Sequence, residues 1–312
     1  MTGGSHGGEG DDPMSLKLQG VLGPVVTNFL PRTEELDLGS FAENVKAHVA
    51  AGMAGVVVCG STGEAALLSE EERIAVLEAA RGAVPAGRLL LMGTGGESTR
   101  LTIRRCREAQ TVGADAVLVV APHYYSNAMT TGALRAHYRR VADDSPLPVL
   151  LYNIPKYMHF KLPPELVAEL ALHPNVVGIK DSSGDLALLG SYLQSQSDTF
   201  TVLTGNGASF EPALVAGARG GILAVALFAA VQSVAIFEAH RAGDHVTAAA
   251  LQTRVKPAAV SVVGELGVPG VKAAMDAVGL AGGPVRSPLV DLDAASRARV
   301  AALVSESYAA VA

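Results

Sequence analysis

The stretch VVGIKDSSGD, Val176 to Asp185, begins like a buried strand and ends like a polar turn. Val176, Val177, Gly178 and Ile179 form a short apolar run of the kind that is covered on both faces in parallel sheets. Lys180 follows directly. Two readings compete for it. The side chain can run its stem out to solvent, or pair with Asp181 or Asp185. Alternatively it stays at the closed end of the strand, where loss of hydration disfavours an ammonium. A neutral amine in such a place is a nucleophile able to form a Schiff base with a carbonyl.

Runs of the same kind recur along the chain. Eight can be read: Val21–Asn28, Gly55–Cys59, Leu89–Gly93, Ala116–Ala121, Val149–Asn153, Val176–Lys180, Phe200–Thr204 and Gly221–Val225. Between them lie stretches of helical periodicity: Leu38–Ala51, Ser69–Gly82, Ser98–Val112, Thr131–Asp143, Pro163–Leu172, Leu186–Gln196 and Ala208–Ala216. Ser69 with Glu72 three residues on has the form of a capping box. Asp37 and Ser98 suit the N-cap, and Gly113 and Gly217 suit helix ends. Strands alternating with helices predict a parallel sheet, because each crossover helix returns the chain to the same end.

Eight such units within residues 16–230 predict an α/β fold, a (β/α)8 TIM barrel with extra C-terminal helices. The competing doubly wound sheet would carry a glycine-rich nucleotide loop after its first strand, and VVTNFLPRTEE (25–35) has none. Further helices are expected at Val231–Ala242, Thr247–Val263, Val271–Val278 and Ala294–Ala309, making residues 231–312 a C-terminal helical region. Residues 1–15, rich in glycine and acids, are expected to be a disordered tail without a secretory signal.

The chain has 312 residues, 49% apolar and 17% charged, enough for a large core, with a formal net charge of -6. No basic block stands out, which argues against nucleic acid as a partner. Two cysteines, Cys59 and Cys106, fit a reducing, cytoplasmic setting better than a disulfide scaffold. Gly220–Phe237 carries no charge and approaches the length of a membrane span. Its Gly-Gly opening and its Gln232-Ser233 pair favour a buried strand followed by a buried helix. No metal site is expected, because His48, His137, His173, His240 and His245 fall in or at the ends of helices and His123 stands alone.

Chemistry in such a barrel sits at the C-terminal ends of the strands. There the sequence places Gly60-Ser61-Thr62-Gly63-Glu64, Pro122-His123-Tyr124-Tyr125, Tyr152-Asn153-Ile154-Pro155, Lys180-Asp181-Ser182-Ser183 and Thr204-Gly205-Asn206-Gly207. Tyr152 ends the strand next to that of Lys180, so its phenol can stand beside the amine; in isolation it also reads as a core tyrosine. Ser61-Thr62-Gly63 offers hydroxyls and backbone N–H groups near a helix start, which suits a carboxylate or phosphate, or an ordinary βα turn. Glu64 is a residue to cap or brace that loop.

GSTGE (60–64), YNIP (152–155) and GIKDSSGD (178–185), in this order and spacing, resemble the dihydrodipicolinate synthase/N-acetylneuraminate lyase superfamily, over the chain from about Leu18 to Val304. LLLMGTGGEST (89–99), GADAVLVVAPHYY (113–125), HPNVVGIKDSSGD (173–185) and GVPGVKAAMDAVGLAGGPVRSPL (267–289) look most like its 4-hydroxy-2-oxoglutarate aldolase branch. The resemblance implies a class I, pyruvate-dependent aldolase that needs no cofactor and no metal. It implies Lys180 as the Schiff-base lysine and Tyr152 as proton shuttle. Ser61 and Thr62 would hold the pyruvate carboxylate, with Ser61 also in the proton relay. A tyrosine of the HYY segment, Tyr125 rather than Tyr124, would reach a neighbouring subunit of a homotetramer. Gly205 and Leu223 match pocket-lining positions, and Ser182 matches a serine near substrate.

The pattern also departs from the family. Dihydrodipicolinate synthases carry an arginine two residues after the proline of Y-N-x-P, and here that place is Tyr157, followed by Met158-His159 where many members have Thr-Gly. Lys156 could supply the missing positive charge. The expected function is therefore 4-hydroxy-2-oxoglutarate aldolase-like, with 4-hydroxy-tetrahydrodipicolinate (dihydrodipicolinate) synthase as the alternative and a non-catalytic 2-oxo acid sensor as a further one. The expected partners are pyruvate or another 2-oxo acid and an aldehyde.

Overall fold

The computed structural model describes residue 16 and residues 18–308. The expected tail, residues 1–15, lies outside the described residues, as does Ala309 at the end of the last expected helix. Eight strands close into one parallel barrel in chain order: β1 (Gly20–Pro24), β2 (Gly55–Val58), β3 (Leu89–Gly93), β4 (Ala116–Val120), β5 (Val149–Asn153), β6 (Val176–Asp181), β7 (Thr201–Thr204) and β8 (Gly220–Ile222). The expected (β/α)8 barrel is the observed fold. Its strand residues are almost all buried, as strands covered inside and outside must be.

The twelve helices among the described residues are α1 (Leu38–Ala50), α2 (Glu70–Ala83), α3 (Thr99–Val112), α4 (Thr131–Asp144), α5 (Pro155–Met158), α6 (Pro164–Leu170), α7 (Leu186–Leu193), α8 (Phe210–Ala216), α9 (Ala230–Arg241), α10 (His245–Ala258), α11 (Gly267–Ala277) and α12 (Ala294–Tyr308). Ser69 and Glu72 form the expected capping box on α2, a device that contributes about 1 kcal/mol. Asp37 and Ser98 cap α1 and α3 through their side chains. Gly113 and Gly217 end α3 and α8 in the left-handed conformation.

Three details depart from the sequence reading. β1 stops at Pro24 and not at Asn28, although Val25 still donates its N–H to the Val57 carbonyl of β2 at 3.1 Å. The uncharged run at Gly220–Phe237 is, as expected, a strand followed by a helix, β8 and α9 joined by a 3-10 turn (Ala224–Leu227), and no helix among the described residues is long and apolar enough to cross a membrane. Because α9 follows β8 and packs on α8 and β1, it is the eighth helix of the ring, which thus runs past residue 230. The expected helix 247–263 is α10 followed by a π-helical segment, Ala259–Glu265, just after Pro257.

The join between first and last strands depends on glycine. Gly20 pairs with Gly220, and a Cβ on Gly220 would lie 2.1 Å from the Gly20 carbonyl oxygen. The register of β5 on β6 matters most for function. Val149 pairs with Val176 but Leu150 pairs with Gly178, so one extra residue, Val177, is accommodated in β6. That irregularity carries Lys180 to the level of Tyr152. A one-residue slip in a strand turns every later side chain to the opposite face, so the bulge decides which residue stands beside the phenol.

Candidate active site

Lys180 is 5% exposed at the C-terminal end of β6. Its stem is packed by the strand and its Nζ lies 4.2 Å from the centre of the Tyr152 ring. Among the described residues its amine makes no ion pair and no hydrogen bond; Asp181 and Asp185, the partners open to it from the sequence, are both engaged elsewhere. Asp185 caps α7 by accepting from the Ala187 and Leu188 N–H groups and is paired with Lys161 at 2.9 Å. Asp181, the last residue of β6, accepts from Asn153 Nδ2 at 2.7 Å, Ser183 N–H at 3.1 Å and Ser183 Oγ at 2.7 Å. Burial lifts the Asp181 carboxyl above the usual range, against the pull of those donors.

The same carboxylate joins two loops. Asn153 donates to Asp181 and, through its Oδ1, accepts the Leu162 N–H at 3.0 Å. Between Asn153 and Leu162 lies α5 with Tyr157, which is partly exposed; burial of the remainder raises its phenol, and Tyr152 adds to the effect. Lys156 is bound to the Gly264 carbonyl at 3.0 Å, tying α5 to the π-helical segment.

Gly205 explains itself by contact. A Cβ there would fall 1.9 Å from Ser182 Oγ and 2.8 Å from Lys180 Cε. Any other side chain would have to push the lysine stem or the serine hydroxyl aside. Ser182 itself donates its backbone N–H to the Asn153 carbonyl at 2.8 Å. Leu223 follows β8, is wholly buried and donates its N–H to the Leu22 carbonyl at 3.0 Å.

The loop after β2 carries Ser61 and Thr62, both partly buried. It is bracketed by two non-glycine residues in the left-handed region, Cys59 at φ 52° and Glu64 at φ 55°. Such conformations cost of order 1–3 kcal/mol each and persist where surroundings enforce them. The turn is closed by Gly63 N–H and Ala65 N–H donating to the Gly60 carbonyl and by Glu64 N–H donating to that of Ser61. Among the described residues, neither the N–H groups nor the hydroxyls of Ser61 and Thr62 have a hydrogen-bond partner, so four donors are left for a ligand.

Glu64 is the brace of this loop that the sequence singles out; Thr27, Arg73, Lys272 and Arg286, which also hold it, are not marked there. Thr27 Oγ1 donates to the Gly63 carbonyl at 2.7 Å. Arg73, fully buried, donates to the Ala65 carbonyl at 3.0 Å and to that of Gly93. Glu64 forms a buried ion pair with Lys272 of α11 at 2.6 Å and accepts the Arg286 N–H at 2.8 Å. Lys272 shows the same signal as Lys180, a lysine among apolar neighbours in GVPGVKAAM (267–275). Cys59 and Cys106 are buried free thiols, and burial pushes Cys59 up to about 11, so it is no nucleophile near neutrality.

Tyr124 and Tyr125 are 77% and 69% exposed, their rings edge to face at 5.0 Å. Glu97 fixes their segment by accepting from the His123 and Tyr124 N–H groups. Neither phenol hydroxyl has a partner among the described residues, and neither reaches Lys180 within the chain. Among those residues no three of His, Cys, Asp and Glu are grouped as a metal site would need.

Known proteins match this chain along most of its length. A synthase from Methanoculleus marisnigri, named 4-hydroxy-tetrahydrodipicolinate synthase, is 36% identical over 89% of this chain and 95% of its own. A DapA-like lyase of Halobacterium salinarum, itself uncharacterized, is 38% identical over 95% of both chains. YagE, a prophage protein of E. coli K12 in the dihydrodipicolinic acid synthase family, has been solved with pyruvate; it superposes with a TM-score of 0.86 at 31% identity, covering 94% of this chain and 99% of its own. A closed barrel with a buried lysine at a strand end, in this company, defines a pyruvate-dependent carbon–carbon lyase of the Schiff-base type. The chain belongs to the dihydrodipicolinate synthetase family, whose model matches residues 17–307.

Proposed function

We propose that Lys180 is the amine that attacks the C2 carbonyl of pyruvate or a related 2-oxo acid. The observation that carries this is a buried, unpaired amine facing a phenol ring at 4.2 Å. Attack releases water, and the imine so formed draws electrons from C3. Loss of a C3 proton gives an enamine that adds to an aldehyde; in the reverse sense, cleavage of the C3–C4 bond of a 4-hydroxy acid releases the aldehyde and leaves the enamine. Tyr152 is placed to pass protons to the leaving water and to the acceptor oxygen, with Ser61 in the same relay. The free donors of Ser61 and Thr62 suit the C1 carboxylate. Gly205 keeps the lysine stem in line, and Ser182 and Leu223 border it.

For the acceptor, the relatives' names support 4-hydroxy-tetrahydrodipicolinate synthase better than the 4-hydroxy-2-oxoglutarate aldolase expected from the sequence. The aldolase reading keeps one observation in its favour, the uncharged and partly exposed Tyr157 at the position where the synthases carry arginine. Tyr125, exposed and with no partner for its hydroxyl among the described residues, suits a contact with another subunit, as the expected homotetramer would provide. Two unpaired buried cysteines accord with a cytoplasmic setting.

Borohydride reduction in the presence of pyruvate is expected to add one pyruvate-derived group to Lys180, read by peptide mass spectrometry. An unmodified Lys180 would overturn the proposal. Turnover of pyruvate with aspartate semialdehyde, set against cleavage of 4-hydroxy-2-oxoglutarate, decides the acceptor.

A further inference from the structure

The loop that offers Ser61 and Thr62 is not held by its own barrel unit alone. Glu64, its last residue, turns inward in a left-handed conformation, and its carboxylate is wholly buried. One oxygen meets Lys272 Nζ at 2.6 Å; the other accepts the Arg286 N–H at 2.8 Å. Lys272 is fixed in turn by the Pro284 carbonyl at 2.6 Å and by the Phe29 ring at 4.6 Å. The Arg286 guanidinium covers the same ring at 4.2 Å and grips Glu72 of α2 with two bonds, at 2.7 and 2.6 Å. Asn28 and Asn44 anchor the intervening chain at the Ala281 carbonyl, at 2.6 and 2.7 Å. Residues from the end of the chain thus close around the first two loops of the barrel.

We propose that the Glu64–Lys272 pair, locked by Arg286, is a positioning device that holds the Ser61–Thr62 donors in register for the substrate carboxylate. The inference rests on the assignment of those donors to pyruvate under the proposed function. Burial of two charges gives stability no better than apolar packing would. What it gives is direction: each carboxylate oxygen has one partner, so the Glu64 backbone has one place to be. Gly63, immediately before it, is held from the other side by Thr27. A displacement of about 1 Å at a binding group costs of order a hundredfold in a reaction that depends on alignment.

The test is the pyruvate concentration that gives half-maximal borohydride trapping at Lys180, measured together with the maximal trapping rate. In Glu64→Gln, which removes the charge and leaves an acceptor for only one of the two donors, half-saturation is expected to rise at least ~10-fold, with the maximal rate within about threefold. Thr27→Val, which removes one hydrogen bond and no charge, serves if Glu64→Gln does not fold; a rise of about threefold is expected there. Val300→Ala in α12 destabilises the protein from a distance and should leave half-saturation unchanged. Unchanged half-saturation in folded Glu64→Gln and in Thr27→Val, or an equal rise in Val300→Ala, overturns the inference. Absence of any adduct in the unaltered protein would overturn instead the assignment of Lys180.

Discussion

Two lysines among the described residues are buried, and they are buried in opposite ways. Lys272, 1% exposed in α11, has a carboxylate at 2.6 Å, a carbonyl at 2.6 Å and an aromatic face. Burial pulls its ammonium below the ordinary range, and Glu64 works against that pull. Lys180, at the end of β6, has the aromatic face and, among the described residues, no ion pair and no hydrogen bond. A cation that holds a loop in place is given a counter-charge. The amine proposed to attack the substrate is left without a counter-charge. The difference separates structure from chemistry more sharply than burial does, because both side chains are nearly equally hidden.

The comparison can be broken by substitution. Lys180→Arg should lose turnover by at least ~1000-fold and form no pyruvate adduct, because a guanidinium makes no imine; steady-state assay and mass spectrometry check this. Lys272→Met should cost about 3–5 kcal/mol of stability in denaturant unfolding, since it leaves the Glu64 carboxylate buried and unpaired. Lys180→Met should leave stability unchanged or raise it, as no partner is orphaned. A loss at Lys180 matching that at Lys272 would erase the distinction.

Two buried imidazoles supply a third case, bases kept neutral. Burial lowers His48 and His137 from 6.5 to about 4. Between those values the unfolded chain binds more protons than the folded one, so stability rises with pH across the window and is lost as pH falls through it. The loss for each reaches about 3 kcal/mol at full development. Melting temperature measured from pH 7 down to 5 should therefore fall, and His48→Gln should flatten the slope. The smallest effect sharpens the picture at Lys180 itself. Gly205→Ala forces the lysine stem or Ser182 aside and should lower activity by about 10–100-fold with little change in the pyruvate adduct's identity.

Much of this was legible in the sequence because it is local. Apolar runs of strand length, a capping box and glycines at helix ends announce themselves within a few residues, and their alternation fixed the barrel. Lys180, Tyr152 and the Ser61-Thr62 loop followed from the rule that chemistry sits at strand ends. What escaped is non-local. Glu64 and Lys272 are joined only by folding, and no periodicity connects them. The bulge at Val177 is invisible because a valine suits either register. Thr27 and Asn28 read as the tail of a strand, since nothing in VVTNF signals that β1 ends at Pro24 and that these two side chains brace neighbouring loops. The relatives' names also favour the synthase over the aldolase, a distinction carried by acceptor contacts and not by the motifs shared across the family.

Asp181 carries a consequence for anyone redesigning the acceptor. Through Asn153 on one side and Ser183 on the other, a single hidden carboxylate couples the segment bearing Tyr157 to the segment bearing Ser182. Changes in the two segments should not combine independently: a substitution tolerated in one will shift what is tolerated in the other. Libraries that vary residues 154–162 alone would sample a landscape already fixed by residues 182–185, and new substrate scope is best sought by varying both together.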